Sequence, residues 1–195
     1  MNPDELSGIL AFLRKAEALK MVTRTSWTSD GRQETVASHT WRLCLFAMVF
    51  ARSVPGVDLG KLLRICLVHD LGEAIGGDIS AVLQAGVPSK AEQERADLLE
   101  LMTDLPASLR DEFAALWDEY ESAATPEARL AKGLDKLETI LQHNQGAMPP
   151  GFDFRFNIGY GARYTATEPV LRQIREVLDA ETEARAVEQD ERDNA

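Results

Sequence analysis

Apolar residues recur at steps of three and four positions through nearly every segment of this chain. That spacing places them on one face of an α-helix, whereas a half-buried β-strand would alternate apolar and polar residues. No stretch shows strand alternation bounded by turn residues, so the sequence predicts an all-α fold. The predicted helices span residues 4–20, 35–53, 59–74, 89–104, 106–123, 126–145 and 168–190.

Residues that favour helix starts stand at three of the predicted boundaries. Asp58 precedes the third helix, Pro106 fits the first turn of the fifth, and Thr125 with a following proline opens the sixth. A chain of 195 residues fits one domain, since domains typically run about 100–200 residues. We therefore predict a single-domain bundle of about six to seven helices over residues 1–180. The polar stretch 181–195 is predicted to be a frayed tail.

Two predicted helices carry ionisable residues within their apolar faces. In the second helix, His39 lies in the apolar stripe that continues to Leu43. In the third helix, Asp70 and Glu73 continue the apolar stripe, and His69 lies on the adjoining face. Ionised carboxylates almost never enter a core without a partner, because desolvation costs several kcal/mol per ion. These positions therefore need a compensating positive charge.

A bound divalent cation supplies that charge, because neutral imidazole and carboxylate are its ordinary ligands. Asp135, which flanks a leucine stripe in the sixth helix, is a further candidate. Taken singly, each residue has an ordinary alternative. His39 is then a hydrogen-bonded core histidine, Asp70 a cap or bridge, and Asp135 a solvated edge residue. The third histidine, His143, comes near a helix end and is predicted to lie at the surface.

The charge balance limits the classes of partner. The formal net charge is -11, with 32 acidic against 21 basic residues. An acidic chain repels the phosphate backbone, so nucleic acid polymers are not expected as partners. A small anionic substrate requires a local cluster of cations or a metal. The longest apolar run, residues 43–51, is about half of the ~20 residues that a membrane span requires. We therefore expect no membrane association and a cytoplasmic location.

Two irregular segments separate the predicted helices. Residues 21–34 contain two arginines and a tryptophan, and residues 146–167 are rich in glycine, proline and aromatic residues. The simplest account of both is surface connection, yet loops of this length in compact domains are often functional.

Four sequence strings together resemble a known family. They are LVHDLGEAIGGDIS (67–80), TRTSW (23–27), ETVASHTWRL (34–43) and LAKGLDKLETILQ (130–142). The first resembles the signature of the HD-domain phosphohydrolases, which fold as helical bundles. In this order and spacing, the four resemble the HD-domain 5′-deoxynucleotidases, which remove phosphate from deoxyribonucleoside monophosphates. The resemblance covers roughly residues 10–145 and also implies a homodimer, which the apolar residues Phe152, Phe154 and Phe156 would favour as an interface.

The resemblance assigns roles position by position. It implies that the metal ligands are His39, His69, Asp70 and Asp135, that Glu73 and Asp78 form the catalytic acidic pair, and that Arg24 and Trp27 lie near the substrate phosphate and sugar. The chain departs from the family at Ser38, where an acidic residue is common, and at Thr40, where serine is frequent. Alternatives remain for several roles. Glu73 is otherwise an ordinary acidic residue near a helix end, Asp78 a helix N-cap, and Arg24 and Trp27 surface anchors.

The implied reaction is the attack of a metal-bound hydroxide on the 5′-phosphate, with one divalent ion (Mn, Co, Zn, Fe, Ni or Mg) as the cofactor. Within phosphate chemistry, the alternatives are a nucleoside triphosphate hydrolase and a phosphatase for another small ester. An HD-type oxygenase or cyclic-dinucleotide phosphodiesterase would need more histidines than this chain has. An alternative from another class is a non-catalytic, metal-stabilised helical module that serves a partner protein.

Overall fold

The computed structural model describes residues 2–78 and 90–193, and within them the all-α prediction is confirmed. The seven helices of ten or more residues in these ranges are α1 (Pro3–Ala16), α2 (Val36–Phe50), α3 (Leu59–Val68), α5 (Lys90–Leu101), α6 (Ala107–Ser122), α7 (Pro126–Gln145) and α10 (Pro169–Asp193). The same two ranges contain three helices of a single turn, α4 (Glu73–Gly76), α8 (Phe156–Gly159) and α9 (Ala162–Thr165). Two 3₁₀ turns, Glu17–Lys20 and Ala51–Ser53, follow α1 and α2.

Side-chain caps fix the starts of the helices that carry the functional residues. Thr35 accepts a hydrogen bond from the backbone N–H of Ser38 and starts α2. Asp58 starts α3, as its position in the sequence predicts, and Thr125 starts α7 with Pro126 in the first turn. Each cap satisfies a backbone N–H that has no partner within the helix.

The helix α7 runs through the centre of the molecule. It packs against α2, α3, α6, α9, α10 and the first β-strand, and most of its residues are buried. The leucines Leu130, Leu134 and Leu137 are fully buried in the core. A helix surrounded on all sides must bury its polar residues too, so each of them needs a partner inside the protein.

The sequence predicts an irregular connection over residues 21–34, but the structure shows a short hairpin there. Strand β1 (Thr23–Trp27) pairs antiparallel with β2 (Gln33–Thr35), and Gly31 makes the turn at a φ of 84°. The register shifts between the pairs Thr23–Thr35 and Trp27–Gln33. Strands this short and irregular give no measurable alternation in the sequence, which explains why the prediction missed them.

The third predicted helix, 59–74, corresponds to two helices in the structure, α3 and α4. The helix α3 ends at Val68, and His69 and Asp70 lie in the turn before α4. The imidazole Nδ1 of His69 lies 2.8 Å from the carbonyl oxygen of Cys66. Gly72 passes so close to α5 that a Cβ would clash with the Glu94 carbonyl. The chain therefore bends at His69 and Asp70, the two predicted metal ligands of this segment.

The last helix continues beyond residue 180 to Asp193, with Thr182 and Ala186 buried. Residues 181–193 of the expected tail are therefore helical. The division into a domain over 1–180 and a tail over 181–195 stays a prediction. Within residues 2–78 and 90–193, no helix is both long and apolar enough to cross a bilayer.

Candidate metal centre and active-site pocket

Four of the sequence-predicted residues converge at the centre of the fold. His39 comes from α2, His69 and Asp70 from the turn after α3, and Asp135 from α7. The Nε2 atom of His39 lies 3.2 Å from Oδ1 of Asp135 and 3.7 Å from Oδ2 of Asp70. The Nε2 atom of His69 lies 2.9 Å from the same oxygen of Asp70. The donor atoms of His39, His69 and Asp70 therefore lie close enough together to hold one metal ion, and Asp135 adjoins this group through His39.

The two imidazole rings are oriented through their other nitrogens. Nδ1 of His39 contacts a carboxylate oxygen of Glu138, and Nδ1 of His69 contacts the Cys66 carbonyl. Each contact places the proton on Nδ1 and leaves the lone pair on Nε2, the arrangement common in metal-binding histidines. Both Nε2 atoms are buried and have no hydrogen-bond partner among the described residues. The donor set therefore fits a divalent cation.

The electrostatics of the protein alone show how strongly this cluster attracts positive charge. Burial and Arg24 lower the pKa of His39, but Glu138 and Asp135 outweigh them and raise it to about 9. Burial raises the pKa of Asp70, but His69 and His39 outweigh that effect and lower it to about 2. The pKa of Asp135 lies well below its ordinary value, because Lys136 and His39 overcome its burial. A cation at this point would take the place of the imidazolium proton.

A buried ion network lies behind His39. Glu138 is fully buried and accepts hydrogen bonds from His39 and from Arg42, whose Nε lies 2.7 Å from Oε1. Glu34, also buried, lies 3.6 Å from Nε of Arg24. This network holds the imidazole from the side opposite the carboxylates.

The presumed acidic pair lies beside the metal ligands. Glu73, the first residue of α4, donates its backbone N–H to the Asp70 carbonyl at 3.1 Å. Burial, followed by Asp70 and Asp78, raises the pKa of the Glu73 carboxyl to about 10. Burial also raises the pKa of Asp78, which lines the same pocket. The short helix that the sequence suggests after Asp78 lies outside the described residues.

The residues expected near the phosphate and sugar belong to β1. Arg24 is mostly buried; its guanidinium donates to the Thr139 hydroxyl at 2.9 Å and lies 3.9 Å from Asp70. Trp27 also lines the pocket. Arg24 is therefore mostly buried and Trp27 half-buried, and both line the pocket.

These residues form one side of a pocket with a volume of about 1040 Å³, near the upper end of the ~300–1,000 Å³ typical of small-molecule sites. The segment 146–167 supplies much of the opposite side, through α8, α9 and the loop before them. We call its pocket-lining rings, Phe152, Phe156, Tyr160 and Tyr164, the aromatic wall. The segment is therefore part of the site.

Backbone contacts fix the aromatic wall. Arg175, on α10, is buried and donates hydrogen bonds to the carbonyls of Asn157, Ile158 and Tyr160. The prediction that His143 lies at the surface is wrong. Its ring is buried, with Nδ1 at 2.9 Å from Oδ1 of Asn157 and Nε2 at 3.0 Å from the hydroxyl of Ser26. The last turn of α7 is covered by the aromatic wall, which sequence position alone does not reveal.

Sequence reasoning missed three residues that contact the predicted ligands. Glu138 stands four residues after Leu134 and three before Leu141, so the periodicity that identifies Asp70 also identifies Glu138. Tyr120 reads as an ordinary core aromatic, and nothing in the sequence pattern singles out Lys136, the residue after Asp135. In the structure both contact Asp135, the hydroxyl of Tyr120 at 2.7 Å and Nζ of Lys136 at 2.9 Å.

The fold and the site together define a class of protein. The family model for the HD domain matches residues 16–175, and the chain belongs to this family. Among solved structures, a predicted metal-dependent phosphohydrolase from Magnetospirillum magnetotacticum is similar, with a TM-score of 0.76 and 27% identity over 95% of this chain and 97% of that one. A conserved hypothetical protein from Pyrococcus furiosus gives a TM-score of 0.61 at 27% identity, over 85% and 99% of the two chains.

The curated relatives narrow the similarity within the family. The chain is 36% identical to the 5′-deoxynucleotidase HDDC2 of Mus musculus, over 71% of this chain and 70% of that protein. It is also 36% identical to the Homo sapiens protein of the same name, over 71% of this chain and 68% of that protein. The 5′-deoxynucleotidase hdd1 of Schizosaccharomyces pombe is 33% identical over 73% and 74%.

Proposed function

We propose that this protein is a metal-dependent 5′-deoxynucleotidase, an HD-domain phosphohydrolase that removes the 5′-phosphate from deoxyribonucleoside monophosphates. The observation that carries the proposal is that the buried Nε2 atoms of His39 and His69 face the carboxylates of Asp135 and Asp70 beside a pocket lined by Arg24. The names of the curated relatives supply the substrate class.

In this proposal, His39, His69, Asp70 and Asp135 hold one divalent ion. First-row ions from manganese to zinc suit mixed imidazole and carboxylate ligands, and magnesium is a weaker match to the imidazoles. A bound ion lowers the pKa of water and neutralises developing negative charge on a phosphoryl oxygen. The buried Glu138 fixes the ring of His39, and the Cys66 carbonyl fixes the ring of His69.

The remaining residues handle the proton and the phosphate. The raised pKa of Glu73 makes its carboxyl a proton carrier at neutral pH, and Asp78 lies close enough to influence that pKa. Arg24, whose guanidinium donates to Thr139 and lies 3.9 Å from Asp70, is assigned to the phosphate as a positive charge on the pocket. Trp27 is assigned to the sugar or base. With the aromatic wall opposite, the nucleoside has apolar surface on both sides.

We also propose a homodimer in the cytoplasm. The loop phenylalanines do not support the interface expected of them, because Phe154 is buried and packs against Phe152. A better candidate is the outer face of α2, where Trp41, Leu45 and Met48 are exposed at steps of four and three. Analytical ultracentrifugation of the Trp41→Glu variant tests this assignment, with dissociation to monomer as the expected result.

The test of the function is a panel of nucleoside mono-, di- and triphosphates, deoxy and ribo, assayed with Mn²⁺ or Co²⁺ and with a chelator. We expect orthophosphate release from deoxyribonucleoside monophosphates that stops with the chelator. Release of triphosphate would identify a nucleoside triphosphate hydrolase. Turnover of none of the panel would favour a non-catalytic module.

A further inference from the structure

The two oxygens of the Asp135 carboxylate have different surroundings. Oδ1 faces Nε2 of His39 at 3.2 Å, on the side of the proposed metal. Oδ2 accepts a hydrogen bond from the Tyr120 hydroxyl at 2.7 Å and pairs with Nζ of Lys136 at 2.9 Å. One oxygen therefore has two strong donors, while the other faces the imidazole.

The side chain of Lys136 is itself held by the aromatic wall. Its ammonium lies 5.3 Å from the centre of the Tyr160 ring, within the range of a cation–π contact. Its stem packs on Gly161, where any Cβ would clash with it and where a φ of 66° favours glycine. The Lys136 side chain is also largely buried. An ammonium in such a place keeps its position better than one on a solvated stem.

We propose that Lys136 is a positioning residue that, together with Tyr120, holds Oδ2 of Asp135 away from the metal, so that Asp135 binds through Oδ1 alone. Tyr160 and Gly161 keep Lys136 in place, and the aromatic wall thereby contributes to the geometry of the metal centre. The inference rests on the proposed metal site and adds the number of oxygens that Asp135 contributes.

A role as a simple charge has different consequences. An ammonium beside a ligand repels a cation, so its removal would by charge alone strengthen metal binding and leave the coordination geometry unchanged. Loss of a positioning contact instead frees Oδ2 to join the metal, which raises the coordination number. The geometry of the bound ion separates these two roles more sharply than affinity does.

The experiment uses Co²⁺, whose visible absorption weakens as its coordination number rises. The full-length protein and its Lys136→Met and Tyr120→Phe variants are titrated with Co²⁺, and the spectra are recorded at saturation. Methionine keeps the stem on Gly161, and phenylalanine keeps the ring against His69, which lies 5.1 Å from it. We expect weaker and shifted bands for Lys136→Met, the same change to a smaller degree for Tyr120→Phe, and a kcat about 10- to 100-fold lower.

Lys61→Met is the matched control. Lys61, on α3, is half-buried and pairs with Glu119 and Glu127, neither of which is a proposed ligand. Its variant should keep the parental spectrum. If both Lys136→Met and Tyr120→Phe keep the parental spectrum, the proposal is overturned. If Lys136→Met keeps the parental spectrum and raises KM, the proposal is also overturned, and Lys136 is a phosphate contact instead. Absence of any Co²⁺ binding by the unmodified protein would instead refute the metal centre itself.

Discussion

The two sides of the pocket are fixed by different kinds of contact. At the metal centre each functional side chain has a second partner, such as Glu138 for His39 and Lys136 for Asp135. At the aromatic wall, the guanidinium of Arg175 binds backbone carbonyls, that of Tyr160 and those of the neighbouring Asn157 and Ile158. Changes at the metal centre should therefore alter the chemistry. Changes behind the aromatic wall should act mainly on substrate binding and stability, and should reach the metal centre only through the contact of Tyr160 with Lys136.

The largest effect is expected from Asp70→Ala. Asp70 faces the Nε2 atoms of both His69 and His39, at 2.9 and 3.7 Å. Its removal leaves two imidazoles and one carboxylate, so we expect loss of the bound metal and of phosphatase activity. Elemental analysis and the phosphate-release assay measure both losses. Asp111→Ala, at an exposed position of α6, serves as the control. Full metal content in Asp70→Ala would remove this residue from the ligand set.

Glu73→Gln should separate the chemistry from the metal. Glutamine keeps the size of the side chain but cannot exchange a proton, so we expect an unchanged metal content and a kcat about 10²- to 10⁴-fold lower. Steady-state kinetics alongside elemental analysis tests this expectation. If the variant retains full activity, Glu73 is not the acid or base.

The sequence was most informative at the metal centre, because a buried charge breaks an apolar periodicity. His39 and Asp70 were found in this way, whereas Asp135 only flanks the leucine stripe of its helix. In the structure, Nε2 of His39 lies 3.7 Å from Asp70 and 3.2 Å from Asp135, and Nε2 of His69 lies 2.9 Å from Asp70. The requirement behind this success is local: each residue must stand out against the apolar residues of its own helix.

The aromatic wall could not be predicted in the same way. Its position depends on contacts between residues far apart in the chain, such as Arg175 with the Tyr160 carbonyl and His143 with Ser26. A backbone carbonyl as the partner of a buried arginine leaves no trace in the amino-acid sequence. The same holds for Lys136, whose direction is set by Tyr160 on another element.

Arg175→Lys should act mainly on the aromatic wall. Lysine keeps the charge but cannot reach three carbonyls at once, so some of the carbonyls lose a charged donor. We expect a loss of stability of about 1–3 kcal/mol and a higher KM for the nucleotide, with the metal affinity unchanged. Denaturant unfolding, calorimetric titration with Mn²⁺ and kinetics provide the three readouts. Arg172→Lys, a neighbouring exposed position on α10 that donates to the Ala166 carbonyl, is the control. Weakened metal binding in Arg175→Lys would show that the two sides are not separable.

The smallest effect is a pH dependence at the contact between β1, α7 and the aromatic wall. Burial lowers the pKa of His143 below its ordinary value of 6.5, so the folded protein holds this ring neutral. In the unfolded chain the ring of His143 binds a proton more readily. The contribution of neutral His143 to the stability of the fold is therefore complete above pH 6.5 and is lost as the pH falls through the lower pKa of the folded state. His143→Gln keeps a donor and an acceptor without this titration. Melting temperatures of both proteins with chelator, from about pH 7.5 to 5.5, should show a steeper decline for the parent. Parallel curves would mean that His143 is not kept neutral by its burial, and that this contact is insensitive to pH.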